Sequence, residues 1–230
     1  MAQRLVFPDA YAAADLITFA GRAARAGDGA VHLRASGGTL VTAAAPLLRQ
    51  GLLDSTPTII GMRLLPVDPE LDCDLVVEAA LLQIAHDDAE AVELPETAVP
   101  PPLWSAAEVP RSGWSHAGTL DLAVLAERAQ WGMSAVAHAL PIDPGDLIVQ
   151  AVRGKIWSAP DEDLGGLPRG VAFVARTLGF IGEDAEDVGV RTCGRWTRLT
   201  LRRGHVLLRG PAHLGMTEVR ETGHVAALVD

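Results

Sequence analysis

Five prolines between residues 95 and 118, in PETAVPPPLWSAAEVPRSGWSHAG, set the first limit on how this chain can fold. Proline fixes its own φ and has no amide hydrogen to donate, so neither a long helix nor a central strand runs through this stretch. A structureless segment of that length is uncommon inside a compact domain and marks a connector or a functional loop. Trp104 and Trp114 argue against a fully solvated tether. The expected organisation is an N-terminal α+β lobe over 1–96, a Pro/Trp-rich connector over 97–118 that packs along a surface, and a C-terminal α+β lobe over 119–230.

Periodicity supplies the elements on either side. Residues 8–26 read as a helix, with Leu16, Phe19, Ala20, Ala23 and Ala24 on one face, Pro8 in the first turn and Gly27 at the stop. Ser36-Gly37-Gly38, between two β-prone runs in 30–44, is a hairpin signal. Residues 56–67 and 73–85 read as strands, the latter with a helical alternative, and a short strand is expected near Val92–Leu94. Residues 119–140 form a long helix in which Thr119 can cap the N-terminus. Gly132 inside it points to close packing against another backbone. Residues 146–157 read as a strand and 167–181 as a third helix ended by Gly182. The fold class that follows is α+β, with antiparallel sheets and packed helices.

A weak repeat runs through this pattern. The strand after the first helix begins VHLRASGG at Val31, and that after the third begins VGVRTCGR at Val188. Val31/Val188, Arg34/Arg191 and Gly37/Gly194 align without a gap, which is compatible with two related α-β-β lobes. Glycine turns also converge, so common descent stays open.

Charge is strongly polarised. Residues 1–190 hold 26 acidic residues against 12 basic ones, whereas 191–230 hold 3 against 7. Residues 191–210, RTCGRWTRLTLRRGHVLLRG, contain no acid. The basic end must therefore meet an anionic ligand, a partner, or the chain's own acidic body. The net charge of −10 disfavours general nucleic-acid binding, which draws its affinity from neutralised phosphates. Apolar content of 49% suffices for a sizeable core. No apolar run reaches the length of a membrane span, and the N-terminus lacks the apolar centre of a secretory signal. These features, with two unpaired cysteines, lead us to expect a cytoplasmic protein without a membrane partner. Arginine outnumbers lysine 18 to 1, an association with GC-rich bacterial genomes.

The candidate anion- or partner-binding residues are Arg191, Arg195, Trp196, Arg198, Arg202, Arg203, His205 and Arg209. On an extended strand Trp196, Arg198, Thr200 and Arg202 share one face, opposite Leu199 and Leu201. Arginine forks match carboxylate or phosphate, but a solvated face in loose contact with neighbouring acids would show the same alternation.

Other motifs are weaker. GWSHAG at 113–118 sets Ser115 beside His116, but it is not the nucleophile elbow, and a capping turn explains it. LGGLPRG at 164–170 opens a helix but follows three acids that would repel a phosphate. The histidines and cysteines lack metal-ligand spacing, and His86-Asp87-Asp88-Ala89-Glu90 reads as a solvated acidic turn, so neither a metal nor a cofactor is expected. Cys193, between Arg191 and Arg195, is expected to be more reactive than Cys73, between Asp72 and Asp74. The function favoured by the sequence is a non-catalytic binding or assembly protein, a homo-oligomer that uses its basic C-terminal surface. The alternative is an enzyme acting on a small anionic substrate held by arginines, with His116 or His205 as acid or base.

Overall fold

Helix α1, Ala10–Ala23, starts where the sequence provides a cap: the Asp9 carboxylate accepts the Ala12 amide at 2.8 Å. Its buried side, Leu16, Phe19, Ala20 and Ala23, is the stripe read from periodicity. The computed structural model describes residues 3–49, 54, 56–106 and 108–210. The end of the expected C-terminal lobe, including Glu218, Arg220, Glu221 and Asp230, lies outside the described residues.

The molecule is an α+β protein with antiparallel sheets. In chain order the strands are β1 (Arg4–Val6), β2 (Ala30–Ser36), β3 (Thr39–Leu47), β4 (Ile59–Pro66), β5 (Cys73–Glu78), β6 (Gln83–Ala85), β7 (Asp88–Glu93), β8 (Ser115–Asp121), β9 (Asp187–Cys193), β10 (Trp196–Leu201) and β11 (Gly204–Arg209). The other helices are α2 (Leu122–Ala139), α3 (Asp146–Ser158) and α4 (Gly170–Thr177). Strands β1, β7 and β6 make a small sheet. The other eight form one sheet in the order β5-β2-β3-β4-β11-β10-β9-β8.

That order has a centre. The segment α1-β2-β3-β4 on one side of the β4–β11 junction matches α4-β9-β10-β11 on the other. The three aligned identities fall on equivalent positions. Val31 and Val188 are fully buried, Arg34 and Arg191 are exposed, and Gly37 and Gly194 open two-residue turns with φ of 56° and 54°. The outermost strand differs in connection, since β5 follows its partners in the chain and β8 precedes them.

At the junction His205 pairs with Met62 and Leu207 with Ile60. Gly61 and Gly204 face the helix layer here and leave room for the fully buried Phe180, whose ring stacks 6.3 Å from Phe19. Helices α1, α2 and α4 contribute to the main core on this face, with Leu33, Leu40, Ile59, Leu199 and Val206 from the sheet.

The opposite face is also covered. Trp104 and Trp196, each 6% exposed, pack with Ile60, Val76 and Leu207, and Val99, Val109 and Trp114 lie against them. The Pro/Trp segment thus runs along the outer face of the sheet. Trp104 donates its indole N–H to Asp28 at 2.7 Å, and the Val99 amide donates to the Val76 carbonyl.

Several sequence expectations change. Residues 146–158 are helical rather than extended, because Trp157 and Gly154 bury a helical face and tertiary packing overrides the β-branched residues before them. The connector ends earlier, since Ser115–Asp121 is a strand. The helix that follows is capped by Asp121, which accepts the Ala123 amide at 2.8 Å, and not by Thr119. Gly132 meets the Trp157 ring of α3 rather than another backbone. Helix α4 stops before Gly179, whose φ of 73° ends it ahead of Gly182. Among the described residues no helix is long and apolar enough to cross a membrane.

Candidate functional site

The basic stretch is a three-stranded meander closed by two-residue turns, Gly194–Arg195 and Arg202–Arg203. Directly paired residues in an antiparallel sheet share a face. On the outer face, β8–β11 therefore align His116, Arg191, Arg198 and Leu207 in one row, and Gly189, Thr200 and His205 in the next. Trp196 pairs with Arg209, whose guanidinium lies 5.7 Å from the indole ring.

The eight candidate residues do not form one cluster. Arg191, Arg198 and His205 come together on the outer face, with Trp114 stacked 4.4 Å from the Arg198 guanidinium. Arg195 lies at the turn beside them and donates to the Gly210 carbonyl at 2.9 Å. Arg202 and Arg203 sit at the far turn. There Arg202 meets Asp184 at 3.1 Å and Glu186 at 3.6 Å, so it does not continue the Trp196–Arg198–Thr200 face. Arg203 approaches Gly182. Trp196, expected on a solvated face, is buried because the Pro/Trp segment covers it.

Among the described residues no acid pairs with Arg191 or Arg198. Burial, reinforced by Arg191, lowers the Arg198 pKa, and the guanidinium stays charged. Burial, then repulsion from Arg198, pushes the His205 imidazole below its usual range. Among the described residues the buried Arg198 Nε, Thr200 Oγ1 and His205 Nδ1 have no hydrogen-bond partner.

The equivalent place in the other half of the sheet shows what is missing. Arg34, the counterpart of Arg191, lies opposite Asp74 of β5, with Nε 3.8 Å from its carboxylate. Asp74 also takes His32 Nε2 at 2.6 Å. Opposite Arg191, the edge strand β8 offers His116 instead. One half places a carboxylate beside its arginine, and the other presents a positive strip beside a sheet edge.

This strip can hold an anion or an acidic surface. Among the described residues no side chain is hydrogen-bonded to His116 or His205. Cys193 lies on the same face and its thiol approaches the Ser112 carbonyl at 3.6 Å. Cys73 lies at the other end of the sheet, and both cysteines are free. Among the described residues no group of three or more His, Cys, Asp or Glu side chains could hold a metal ion. Sequence reasoning found Arg191 and Arg198 but not the importance of Trp114 or of His116 as a cross-strand neighbour, because register is not local information.

Residues 1–106 match the model of a domain of unknown function, DUF8010, and residues 109–213 match that of a second, DUF8185. No curated protein matches the chain. Among solved structures, the DNA polymerase sliding clamp from Bacillus subtilis is similar over 91% of this chain and 64% of its own, with a TM-score of 0.50 and 9% identity. The DNA polymerase III β subunit from Thermotoga maritima gives 90%, 64%, 0.49 and 11%, and the sliding clamp from Caulobacter crescentus 98%, 70%, 0.46 and 12%. At these identities the likeness is one of fold, and the chain spans about two thirds of the length of those proteins.

Proposed function

We propose that this is a non-catalytic assembly protein whose copies join through the β8 end of the sheet, with another copy supplying the acid that Arg191 and Arg198 lack. The observation that carries this reading is the asymmetry between Arg34, paired across the strands with Asp74, and Arg191, faced by His116. Among the described residues β8 is the outermost strand at this end, and Ser115, His116, Ala117, Thr119 and Asp121 are exposed. An edge of this kind offers main-chain groups for pairing unless it is blocked. The other end of the sheet has the opposite sign: Glu70, Asp72, Asp74 and Glu78 are all exposed at or just before β5. Docking the basic end of one copy on the acidic end of the next is a heterologous contact, which closes into a ring or extends as a filament. Charge complementarity would set its partner choice and association rate. The clamp-like fold is compatible with such an assembly.

The edge is tested by placing lysines on it. Ala117→Lys with Thr119→Lys changes two exposed positions and adds the charge that natural edge strands use to refuse pairing. The double variant is expected to sediment as a monomer with an unchanged far-ultraviolet spectrum, while the unaltered protein sediments as an oligomer. An oligomer of the same mass in the folded variant would reject this edge as the contact.

A further inference from the structure

A second site follows from α3, the helix that the sequence pattern concealed. Four residues before the buried Trp157, the same helix carries Arg153. This side chain is half-buried, and its guanidinium lies 5.3 Å from the Phe173 ring. It has no ion pair or hydrogen bond among the described residues, and burial alone lowers its pKa. An unpaired charge in such a place is held at a cost that an incoming anion would offset.

Arg153 faces space. A cleft of about 670 Å³ lies between it, the turn after α1, Glu78 and the proline wall of Val99, Pro100 and Pro102. A smaller hollow of about 200 Å³ shares Gly27 and Arg153 with it. The larger volume falls in the range of small-molecule sites.

The acids around the cleft are engaged elsewhere or lie exposed. Asp28 accepts the Ala30 amide at 3.1 Å and the Trp104 indole at 2.7 Å. Asp54 accepts the Thr56 amide at 2.8 Å and the Thr56 hydroxyl at 2.5 Å. Glu78 is exposed. Arg25, also exposed, adds a second cation to the wall. The cleft therefore combines a half-buried guanidinium, a second arginine, and an apolar wall of alanine, valine and proline.

We propose that this cleft binds a small organic anion, with Arg153 forking onto its carboxylate or phosphate group and the Val99–Pro102 wall packing on its apolar body. An arginine fork matches both groups in geometry. The site draws on both halves of the chain, so its ligand links the α1–β2 turn to α3. It shares no residue with the β8 edge and only Glu78 with the acidic end of the sheet, and its test, ligand binding lost in Arg153→Gln, does not depend on oligomeric state.

Calorimetric titration of the full chain with hexanoate, hexyl phosphate and the neutral hexanamide tests it. At least one anion is expected to bind with a Kd of about 1 mM or tighter, and hexanamide at least about tenfold more weakly. The better of the two anions identifies the ligand group. Arg153→Gln is expected to fold and to lose at least about tenfold in affinity. Ala80→Trp fills the cleft from an exposed position and is expected to abolish binding, which keeps a test available should the arginine variant not fold. No binding of either anion, binding equal to that of hexanamide, or affinity unchanged in the folded variants would overturn the proposal.

Discussion

Phe180 gives the fold its sharpest quantitative test. Its ring is fully buried, stacked on Phe19, and seated against Gly61 and Gly204 on the two strands that join the halves of the sheet. A Cβ added at Gly204 would lie 2.5, 2.7 and 2.8 Å from three atoms of that ring. All three separations are well inside normal carbon–carbon contact, and the ring is fixed from the other side. Replacing glycine by alanine in a strand otherwise gains roughly 0.5–1 kcal/mol, because the unfolded chain loses freedom. Overpacking a rigid core costs roughly 1–3 kcal/mol. The clash should win, so Gly204→Ala is expected to destabilise by about 1–2 kcal/mol. In a chain of this size that lowers Tm by roughly 2–8 °C. Gly189→Ala is the control: nothing lies within 4 Å of its added Cβ, and a small stabilisation is expected. Denaturant unfolding followed by circular dichroism separates the two signs. Equal or greater stability of Gly204→Ala would show that Phe180 is not clamped, and would refute the packing described for the junction.

Other expectations are independent of that one. Cys193 should react faster than Cys73 in mass-spectrometric thiol labelling at neutral pH, because burial first and then Asp72 and Asp74 raise the Cys73 pKa; faster labelling of Cys73 would contradict this. His205 is held neutral by burial and Arg198, so the unfolded chain takes up its proton first as pH falls below about 6.5. Stability should therefore drop from about pH 6.5 toward the lower folded pKa. The drop should be smaller in His205→Gln, and an identical pH profile for the two proteins would exclude His205 as its source. Trp104→Phe removes the indole donor to Asp28 and should cost about 1–3 kcal/mol in chemical unfolding. An unchanged midpoint would mean that the outer-face segment is not latched there.

The sequence was most legible where a local signal met a local requirement. Helix α1 followed from its apolar stripe, and the Gly37-Gly38 hairpin from a turn in which both residues have positive φ. The packing of the Pro/Trp segment along a surface followed from tryptophans that could not stay wet. Strand β8 is hidden because Ser115, Ala117 and Gly118 have low β propensity and, among the described residues, β9 is its one paired strand. Helix α3 is concealed because Leu147, Ile148 and Val149 resemble a strand until Trp157 finds Gly132. The same pattern hides Arg153. The arginines of the basic stretch were visible as a run, but which of them lack a counter-charge is a cross-strand fact. Asp74 and His116 become comparable only once the sheet has formed.

If another copy of the chain supplies the acid missing at Arg191, reciprocal charge variants should restore one another's assembly in sedimentation. One variant carries Arg191→Glu, and the other carries Glu70→Arg with Asp72→Arg; all three positions are exposed. Each variant alone is expected to shift to monomer while staying folded, and the equimolar mixture to regain the mass of the unaltered oligomer, less so at high salt. An unaltered protein that is monomeric at every concentration, or variants that keep its oligomeric mass unmixed, would rule out assembly through Arg191.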